Sequence, residues 1–200
     1  MTGFTILTVC SGNICRSPMA AQLLSVGLSR WPGVTVASAG TTALTGYPMP
    51  EQAAALSRKF GGDPSHHAAR ELTAQQLLDA DLVFGLAREH RRAVAELAPR
   101  AIKYSFTIRE FARLMADIAG NDLVDVAALS LSNIPGRLST LVSLAATQRG
   151  SVAPALSPED DDVIDPYRRS DEVYDGMAQQ LVPAVETVLS LVERAATVTG

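Results

Sequence analysis

Cysteine is scarce in this 200-residue chain, and its scarcity excludes one class of protein at once. Only two cysteines occur, Cys10 and Cys15, and they lie close together near the N-terminus. Two neighbouring cysteines do not make the disulfide framework that holds small secreted domains together. The sequence therefore predicts a cytoplasmic protein, in which a reactive thiolate stays reduced.

Long apolar runs and strong net charge are also missing. No stretch approaches the roughly 18 apolar residues that a membrane span needs, and the first residues lack the pattern of a signal peptide. We therefore expect no membrane partner. A net charge of −4 argues against a nucleic-acid partner. The length and a hydrophobic content of 47% fit one domain over residues 1–200.

What the chain does have is a distinctive stretch at residues 9–18, VCSGNICRSP. It follows an apolar run over residues 4–9 that predicts a short buried strand. It precedes a helical pattern that begins at Ser17, with Pro18 at the first helical position. A loop that enters a helix N-terminus has free N–H groups, so this stretch is expected to attract anions.

Cys10 opens this loop and Arg16 closes it, with five residues between them. A loop of this size can curl so that successive amides converge on one oxyanion, and Arg16 can add a two-pronged donor to phosphate oxygens. The converging amides favour the thiolate form of Cys10. Asn13 and Ser17 can hydrogen-bond across the loop. The predicted phosphate-binding residues are Ser11, Gly12, Asn13, Ile14, Cys15 and Arg16.

The remaining pattern alternates strands and helices. Strands are predicted at residues 4–9, 34–37, 81–85 and 101–106, with capping boxes at Thr73/Gln76 and Thr107/Glu110 opening two of the helices between and after them. This alternation indicates a parallel sheet with helices on both faces, whose ligand site lies at the carboxyl ends of the strands.

Residues 121–160 depart from that alternation. Two short helical stripes there predict an inserted helical hairpin, interrupted at residues 134–136, and the acidic run at residues 159–162 is expected to be solvated. A final helix should follow Ser170, with a kink or interruption at Pro183.

The full string Cys-x-Gly-Asn-Ile-Cys-Arg-Ser-Pro-Met-Ala, from Cys10, closely resembles the signature of the low-molecular-weight protein tyrosine phosphatases. Asp165-Pro166-Tyr167 matches the Asp-Pro-Tyr loop of that family, in which the aspartate is the general acid. The resemblance implies an α/β three-layer sandwich with a four-stranded parallel sheet. It also implies hydrolysis of phosphotyrosine through a phosphocysteine at Cys10, with Arg16 and Asp165 as partners. No metal or other cofactor is expected.

The resemblance further bears on the substrate. Ile14 and Tyr167 could form apolar walls around an aromatic ring, whereas the related phosphoarginine phosphatases usually carry threonine in place of Ile14. Leu44 replaces the aromatic wall of many members, as in the bacterial phosphatases associated with capsule and exopolysaccharide tyrosine kinases. The implied partner is a tyrosine-phosphorylated protein, such as a bacterial tyrosine kinase. Inorganic phosphate or a similar oxyanion would fit the same site.

Cys15 lies five residues from Cys10 on a loop that is expected to curl back on itself. This spacing predicts that the two sulfurs approach bonding distance, so that Cys15 acts as a redox partner and captures oxidised Cys10 as a disulfide. The paired loop cysteines of the family support this role. The alternative is that Cys15 packs behind the loop as a small apolar residue. The two histidines His67 and His90 are interpreted as structural hydrogen-bonding groups.

Two other functions are compatible with such a loop. A thiol-dependent arsenate reductase would need further cysteines, beyond Cys10 and Cys15, to relay its disulfide. A phosphate-binding module without turnover would be expected to lose Cys10 or Asp165, and both are present. Both alternatives are therefore less favoured than a phosphatase.

Overall fold

A four-stranded parallel sheet forms the centre of the computed structural model, which describes residues 3–200. The strands lie in the order β2-β1-β3-β4, and they comprise β1 (Phe4–Cys10), β2 (Val34–Gly40), β3 (Leu82–Gly85) and β4 (Ser105–Thr107). The pairing of β1 with β2 runs from Phe4↔Val34 to Cys10↔Gly40. The predicted parallel sheet is confirmed, and Cys10 ends its central strand β1 at the carboxyl edge.

Helices cover both faces of this sheet. They are α1 (Arg16–Leu28), α2 (Glu51–Lys59), α3 (Ala74–Leu78), α4 (Arg88–Leu97), α5 (Ile108–Leu114), α6 (Val124–Ala127), α7 (Ile134–Gln148) and α8 (Asp171–Thr197). Phe4 and Ile6 of β1 face a large core shared with α1, α5 and α8, whereas Leu7 and Val9 face a smaller core shared with α4. Because successive side chains of a strand point to opposite faces, this continuous apolar run fills both cores.

The fourth strand differs from its prediction. Residues 99–104 form a 3-10 helix (Pro99–Tyr104), and only Ser105–Thr107 pair with β3. Pro99 supplies the preset backbone angle that opens such a turn, and the Ser105 hydroxyl donates back to the Ala101 carbonyl at 2.6 Å. These local contacts prevent the predicted strand from starting before Ser105.

Residues 121–160 are largely helical, as predicted. They contain α6 and α7, and α7 begins at Ile134, with Pro135 in its first turn. The tripeptide at 134–136 therefore starts a helix, because proline is well accommodated in a first turn. That this segment is an insertion in an otherwise standard domain stays a prediction.

Helix α8 continues through Pro183 from Asp171 to Thr197, so it is not interrupted there, and a kink at Pro183 stays a prediction. Both predicted capping boxes are confirmed, at Thr73/Gln76 and Thr107/Glu110. Within residues 3–200, no helix has both the length and the apolar character that crossing a bilayer requires.

Candidate active site

The loop between β1 and α1 has its carbonyl groups turned outward. The carbonyls of Cys10, Ser11 and Gly12 accept hydrogen bonds from the amides of Thr41, Thr42 and Leu44 at 2.9–3.1 Å. The carbonyl of the next loop residue, Asn13, accepts from His67 Nε2 at 2.7 Å. With the carbonyls held from outside, the loop presents its amides to the opposite side, which is the arrangement an oxyanion requires.

Asn13 holds the loop in its curled shape. Its backbone lies in the left-handed region at φ 53°, which asparagine tolerates better than most residues. Its side chain is fully buried, accepts from the Arg70 amide at 2.9 Å and donates to Ser17 Oγ at 2.9 Å. The predicted hydrogen bond between Asn13 and Ser17 is therefore present, and it closes the loop from beneath.

Gly40, at the end of β2, lets this loop lie close to the sheet. A Cβ at this position would lie 2.4 Å from the Ser11 carbonyl oxygen and 3.0 Å from Asn13. Any side chain would therefore push the loop away from β2, so the glycine is required for the close approach.

Cys10 is buried at the floor of the loop, with its Sγ 3.0 Å from Ser17 Oγ. Ser17 Oγ already accepts from Asn13, and its single proton can go to Cys10 or to the Ala39 carbonyl at 3.4 Å. The shorter contact is with the sulfur, so the hydroxyl is placed to donate to a Cys10 thiolate.

Arg16 follows the loop and is 4% exposed. Its guanidinium donates to the Val163 carbonyl at 3.2 Å and lies 3.0 Å from Asp165 Oδ2, whereas the Asp165 side chain is 53% exposed. The phosphate loop and the Asp-Pro-Tyr segment are thus adjacent, although the chain separates them widely.

These groups surround one cavity of about 160 Å³. The predicted walls Ile14, Leu44 and Tyr167 line it together with the predicted Cys10, Arg16 and Asp165. The other lining residues are Ser11, Gly12, Cys15 and Thr42. Asn13 and Ser17 are absent from this lining and act through the hydrogen bonds described above. The cavity therefore combines apolar side chains with the Cys10 thiol, the Arg16 side chain and the Asp165 carboxylate.

The two histidines are hydrogen-bonding groups, as predicted. Burial lowers the pKa of His67, which donates to the loop carbonyl of Asn13. His90 is 1% exposed, and burial lowers its pKa to about 3. Its Nε2 lies 3.0 Å from Ser11 Oγ and 3.4 Å from Glu89 Oε1. The neutral ring of His90 therefore shares a hydrogen bond with the Ser11 hydroxyl of the phosphate loop.

Cys15 is buried beside Tyr174 of α8, whose hydroxyl lies 3.9 Å from its Sγ. Burial raises the pKa of the Cys15 thiol to about 12. The thiol is therefore protonated at neutral pH. Its role as a redox partner stays a prediction.

Sequence reasoning missed two contributors to the site. Thr42 lines the cavity, and Glu71 accepts from the Ala43 amide at 2.7 Å, which holds the segment that binds the loop carbonyls. No local pattern marks either residue, since their position depends on how the segment after β2 folds against the loop.

The chain resembles known proteins in both sequence and structure. A family model described as low molecular weight phosphotyrosine protein phosphatase matches residues 5–125. A protein of Ralstonia solanacearum described as a probable low molecular weight protein-tyrosine-phosphatase, EpsP, is 40% identical over 113 residues, which is 56% of this chain and 76% of that protein.

Two solved structures share the fold over most of their length. The tyrosine phosphatase AmsI of Erwinia amylovora aligns with a TM-score of 0.65 and 22% identity, covering 95% of this chain and 93% of that one. The YwlE arginine phosphatase of Geobacillus stearothermophilus aligns with a TM-score of 0.65 and 24% identity over the same shares. At these identities the structural match establishes the fold alone.

The family match covers more than half of the chain and includes the whole phosphate loop, whereas Asp165 lies beyond the matched residues. With the loop geometry and the sheet in agreement, the chain belongs to the low molecular weight phosphotyrosine protein phosphatase family, a family of hydrolases.

Proposed function

We propose that this chain removes phosphate from tyrosine residues of proteins, with Cys10 as nucleophile, Arg16 as phosphate ligand and Asp165 as general acid. The observation that carries this assignment is the convergence of the three side chains on one cavity. Phosphotyrosine hydrolysis is the activity of the family to which the chain belongs, and the residue roles are our proposal.

The first step transfers the phosphoryl group to the enzyme. Cys10 Sγ attacks phosphorus and forms a P–S bond while the bond from phosphorus to the tyrosine oxygen breaks. Asp165 gives its proton to that oxygen, which avoids a phenolate leaving group. The loop amides and Arg16 stabilise the charge on the phosphoryl oxygens throughout.

The second step restores the enzyme. A water molecule attacks phosphorus and passes a proton to the Asp165 carboxylate, and the P–S bond breaks to return the Cys10 thiolate and inorganic phosphate. Ser17 Oγ, 3.0 Å from the sulfur, is placed to stabilise the thiolate that leaves. A phosphate dianion would also occupy donors of Arg16, which frees the Asp165 carboxyl to face the leaving oxygen.

The cavity favours an aromatic phosphate ester. Ile14, Leu44 and Tyr167 give it apolar sides, which suit a tyrosine ring better than the polar guanidinium of phosphoarginine. The fold does not separate the two substrates, since an arginine phosphatase aligns as well as a tyrosine phosphatase. The preference for phosphotyrosine over phosphoarginine therefore depends on these wall residues. The proposed partner is a tyrosine-phosphorylated protein, such as a bacterial tyrosine kinase.

Turnover of a phosphotyrosyl peptide tests the proposal. We expect hydrolysis by the wild type, none by Cys10→Ser, and retained phosphate binding by that variant, because serine preserves the loop. A phosphoarginyl peptide of the same sequence should be a poor substrate for the wild type and a better one for Ile14→Thr.

Two results would contradict these assignments. Equal activity of wild type and Cys10→Ser would exclude Cys10 as the nucleophile. Phosphate binding without turnover by the wild type would instead support a binding module.

A further inference from the structure

We propose that Arg88 and Arg113 are positioning residues that clamp the segment 159–162 and thereby fix the location of Asp165. The inference rests on the proposed role of Asp165 as general acid. It concerns the acidic run at residues 159–162, which the sequence predicts to be solvated. The structure corrects that expectation, since three of its four carboxylates pair with arginines.

The first half of the clamp joins the acidic run to the start of α4. Asp162 Oδ1 accepts the backbone amide of Arg88 at 2.7 Å, and the Arg88 side chain donates to both Asp162 oxygens at 2.9–3.2 Å. Arg88 also donates to Glu159 at 3.0 Å. Asp162 therefore caps the first free N–H of α4 and forms a two-pronged ion pair with the same residue, which gives the contact a defined geometry.

The second half joins the run to β4 and α5. Arg113 of α5 donates to Asp161 Oδ1 at 3.1 Å and to Oδ2 at 2.8 Å. The Thr107 hydroxyl, at the end of β4, donates to the Asp161 carbonyl at 2.6 Å. The Asp161 side chain is only 16% exposed, so this pair is screened by solvent less than an ordinary surface pair.

The two residues between the clamp and Asp165 are also tied to the body of the protein. The Val163 amide donates to the Leu86 carbonyl at 2.8 Å, and the Val163 carbonyl accepts from Arg16 at 3.2 Å. The Ile164 amide donates to Gln180 of α8 at 2.7 Å. Each residue from 161 to 164 therefore has a fixed contact with a helix, a strand end or the phosphate loop.

Asp165 itself has less support. Its side chain is 53% exposed, its Oδ2 pairs with Arg16 at 3.0 Å, and its Oδ1 accepts from the Tyr167 amide of its own loop at 3.2 Å. A substrate phosphate would compete for that arginine, and the Tyr167 contact lies within the same loop and moves with it. During phosphoryl transfer the residues before Asp165 must therefore hold this loop in place. A general acid must lie within hydrogen-bond reach of the leaving oxygen, and displacement by about 1 Å can cost on the order of 100-fold in rate.

The test compares Arg88→Met with Arg92→Met. Arg92 lies one turn along the same helix, is 77% exposed and pairs with Glu96 instead of the acidic run, so it controls for the loss of a cation from this surface. The measured quantity is kcat/KM, which includes the step that breaks the P–O bond. Each protein is assayed with a phosphotyrosyl peptide, whose leaving phenol has a pKa of about 10, and with an aryl phosphate of a strongly acidic phenol, which leaves without a proton.

We expect Arg88→Met to lower kcat/KM about tenfold for the peptide and less than about twofold for the activated ester, with Arg92→Met close to wild type on both. Asp162→Asn, which keeps an acceptor for the α4 amide, should show the same selective loss and serves if Arg88→Met folds poorly. In an Asp165→Asn background, Arg88→Met should cause no further loss, because the clamp acts through the acid.

Equal losses on both substrates, or a further loss in the Asp165→Asn background, would overturn the clamp. Failure of the underlying assignment gives a different pattern. If Asp165→Asn alone lowers both substrates equally, Asp165 is not the acid. Asp165→Asn could instead lower kcat/KM mainly for the peptide while Arg88→Met and Asp162→Asn show no such preference. That result would support Asp165 as the general acid and contradict the clamp.

Discussion

Two buried arginines lie near opposite ends of helix α8, and their side chains have different kinds of partner. Arg16 follows the phosphate loop and is 4% exposed, and Arg137 of α7 is fully buried. Helix α8 reaches both regions, since Tyr174 near its start contacts the phosphate loop and Ala195 near its end contacts Arg137.

Arg137 is satisfied by backbone groups. Its guanidinium donates to the carbonyls of Ala195, at 2.6 Å, and of Leu129 and Val198. The carbonyls in the last turn of a helix lack partners within the helix, so Arg137 caps α8 and opposes its negative end. A charge held in this way stabilises the join between the 121–160 segment and the rest of the fold.

Arg16 has a different kind of environment. One protein partner is the Val163 carbonyl and the other is the half-exposed carboxylate of Asp165, and the guanidinium lines the cavity. An exposed partner can be exchanged for a ligand at lower cost than a buried one, since water solvates the released carboxylate. The comparison therefore predicts that Arg16 matters mainly for activity and Arg137 mainly for stability.

The largest expected effect is on activity, in Arg16→Lys. Lysine keeps the charge and loses the planar two-pronged donor, so kcat/KM for a phosphotyrosyl peptide should fall by about 100-fold or more. The free energy of unfolding, measured in urea, should change less than in Arg137→Met. Near-normal kcat/KM in this variant would show that bidentate contact with phosphate is unnecessary.

Stability should respond most to Arg137→Met. Methionine fills a similar volume and removes the donor from one buried and two partly buried carbonyls, so the free energy of unfolding should fall by about 3 kcal/mol. Folded variant protein should keep normal kcat/KM below its unfolding transition. Arg194→Met removes a partly buried contact with the Ile118 carbonyl and should cost less. An activity loss in folded Arg137→Met would contradict the separation of roles.

Sequence reasoning succeeded where local chemistry dictates the structure. The phosphate loop, its strand and its helix follow from adjacent residues, as do the capping boxes. The resemblance to the family also indicated Asp165, which lies beside Arg16 in the structure. Composition and spacing alone would have identified only a common Asp-Pro turn at this position.

It failed in one place where local contacts override a strand-like composition, and in another where distant contacts decide. Residues 101–104 have a strand-like composition, but Pro99 and the Ser105 hydroxyl favour a 3-10 helix. The acidic run was expected to be solvated because its arginine partners lie on other elements, at Arg88 and Arg113. Such pairs are set by the tertiary fold, so no local pattern could reveal them.

A smaller effect is the pH dependence of the free energy of unfolding. It involves His90, which contacts Ser11 of the phosphate loop, and it distinguishes the Arg16 region from the Arg137 region. Burial lowers the pKa of His90 from its ordinary 6.5 to about 3, so between these values the unfolded chain binds a proton that the folded protein does not. The free energy of unfolding should therefore fall as the pH drops from about 6.5, with a His90 contribution of up to about 1.4 kcal/mol per pH unit.

Urea unfolding at several pH values measures this slope. His90→Gln removes the titrating group and should flatten the slope by about one proton, whereas the exposed His66→Gln should leave it unchanged. Arg137→Met leaves His90 in place, so it should lower stability by a similar amount at each pH. An unchanged slope in His90→Gln would show that another group controls acid sensitivity.

The last prediction, with the smallest expected effect, concerns Cys15 and whether it protects Cys10 from irreversible oxidation. If Cys15 protects Cys10, the Cys15 thiolate attacks the Cys10 sulfenic acid formed by peroxide, an S–S bond forms and hydroxide leaves. Burial holds the pKa of Cys15 at about 12, and the attacking species is the thiolate. The rate of disulfide formation should then rise about tenfold for each pH unit between 7 and 9.

We accordingly expect peroxide-treated wild type to recover activity with a dithiol, and Cys15→Ser to recover little because its Cys10 oxidises further. Mass spectrometry of the wild type should show a Cys10–Cys15 link, more of it at higher pH. Arg137→Met, altered at the other end of α8, should recover like the wild type. Equal recovery of wild type and Cys15→Ser would mean that Cys15 only packs beneath the loop, against Tyr174, and that the phosphate-loop region has no thiol protection of its own.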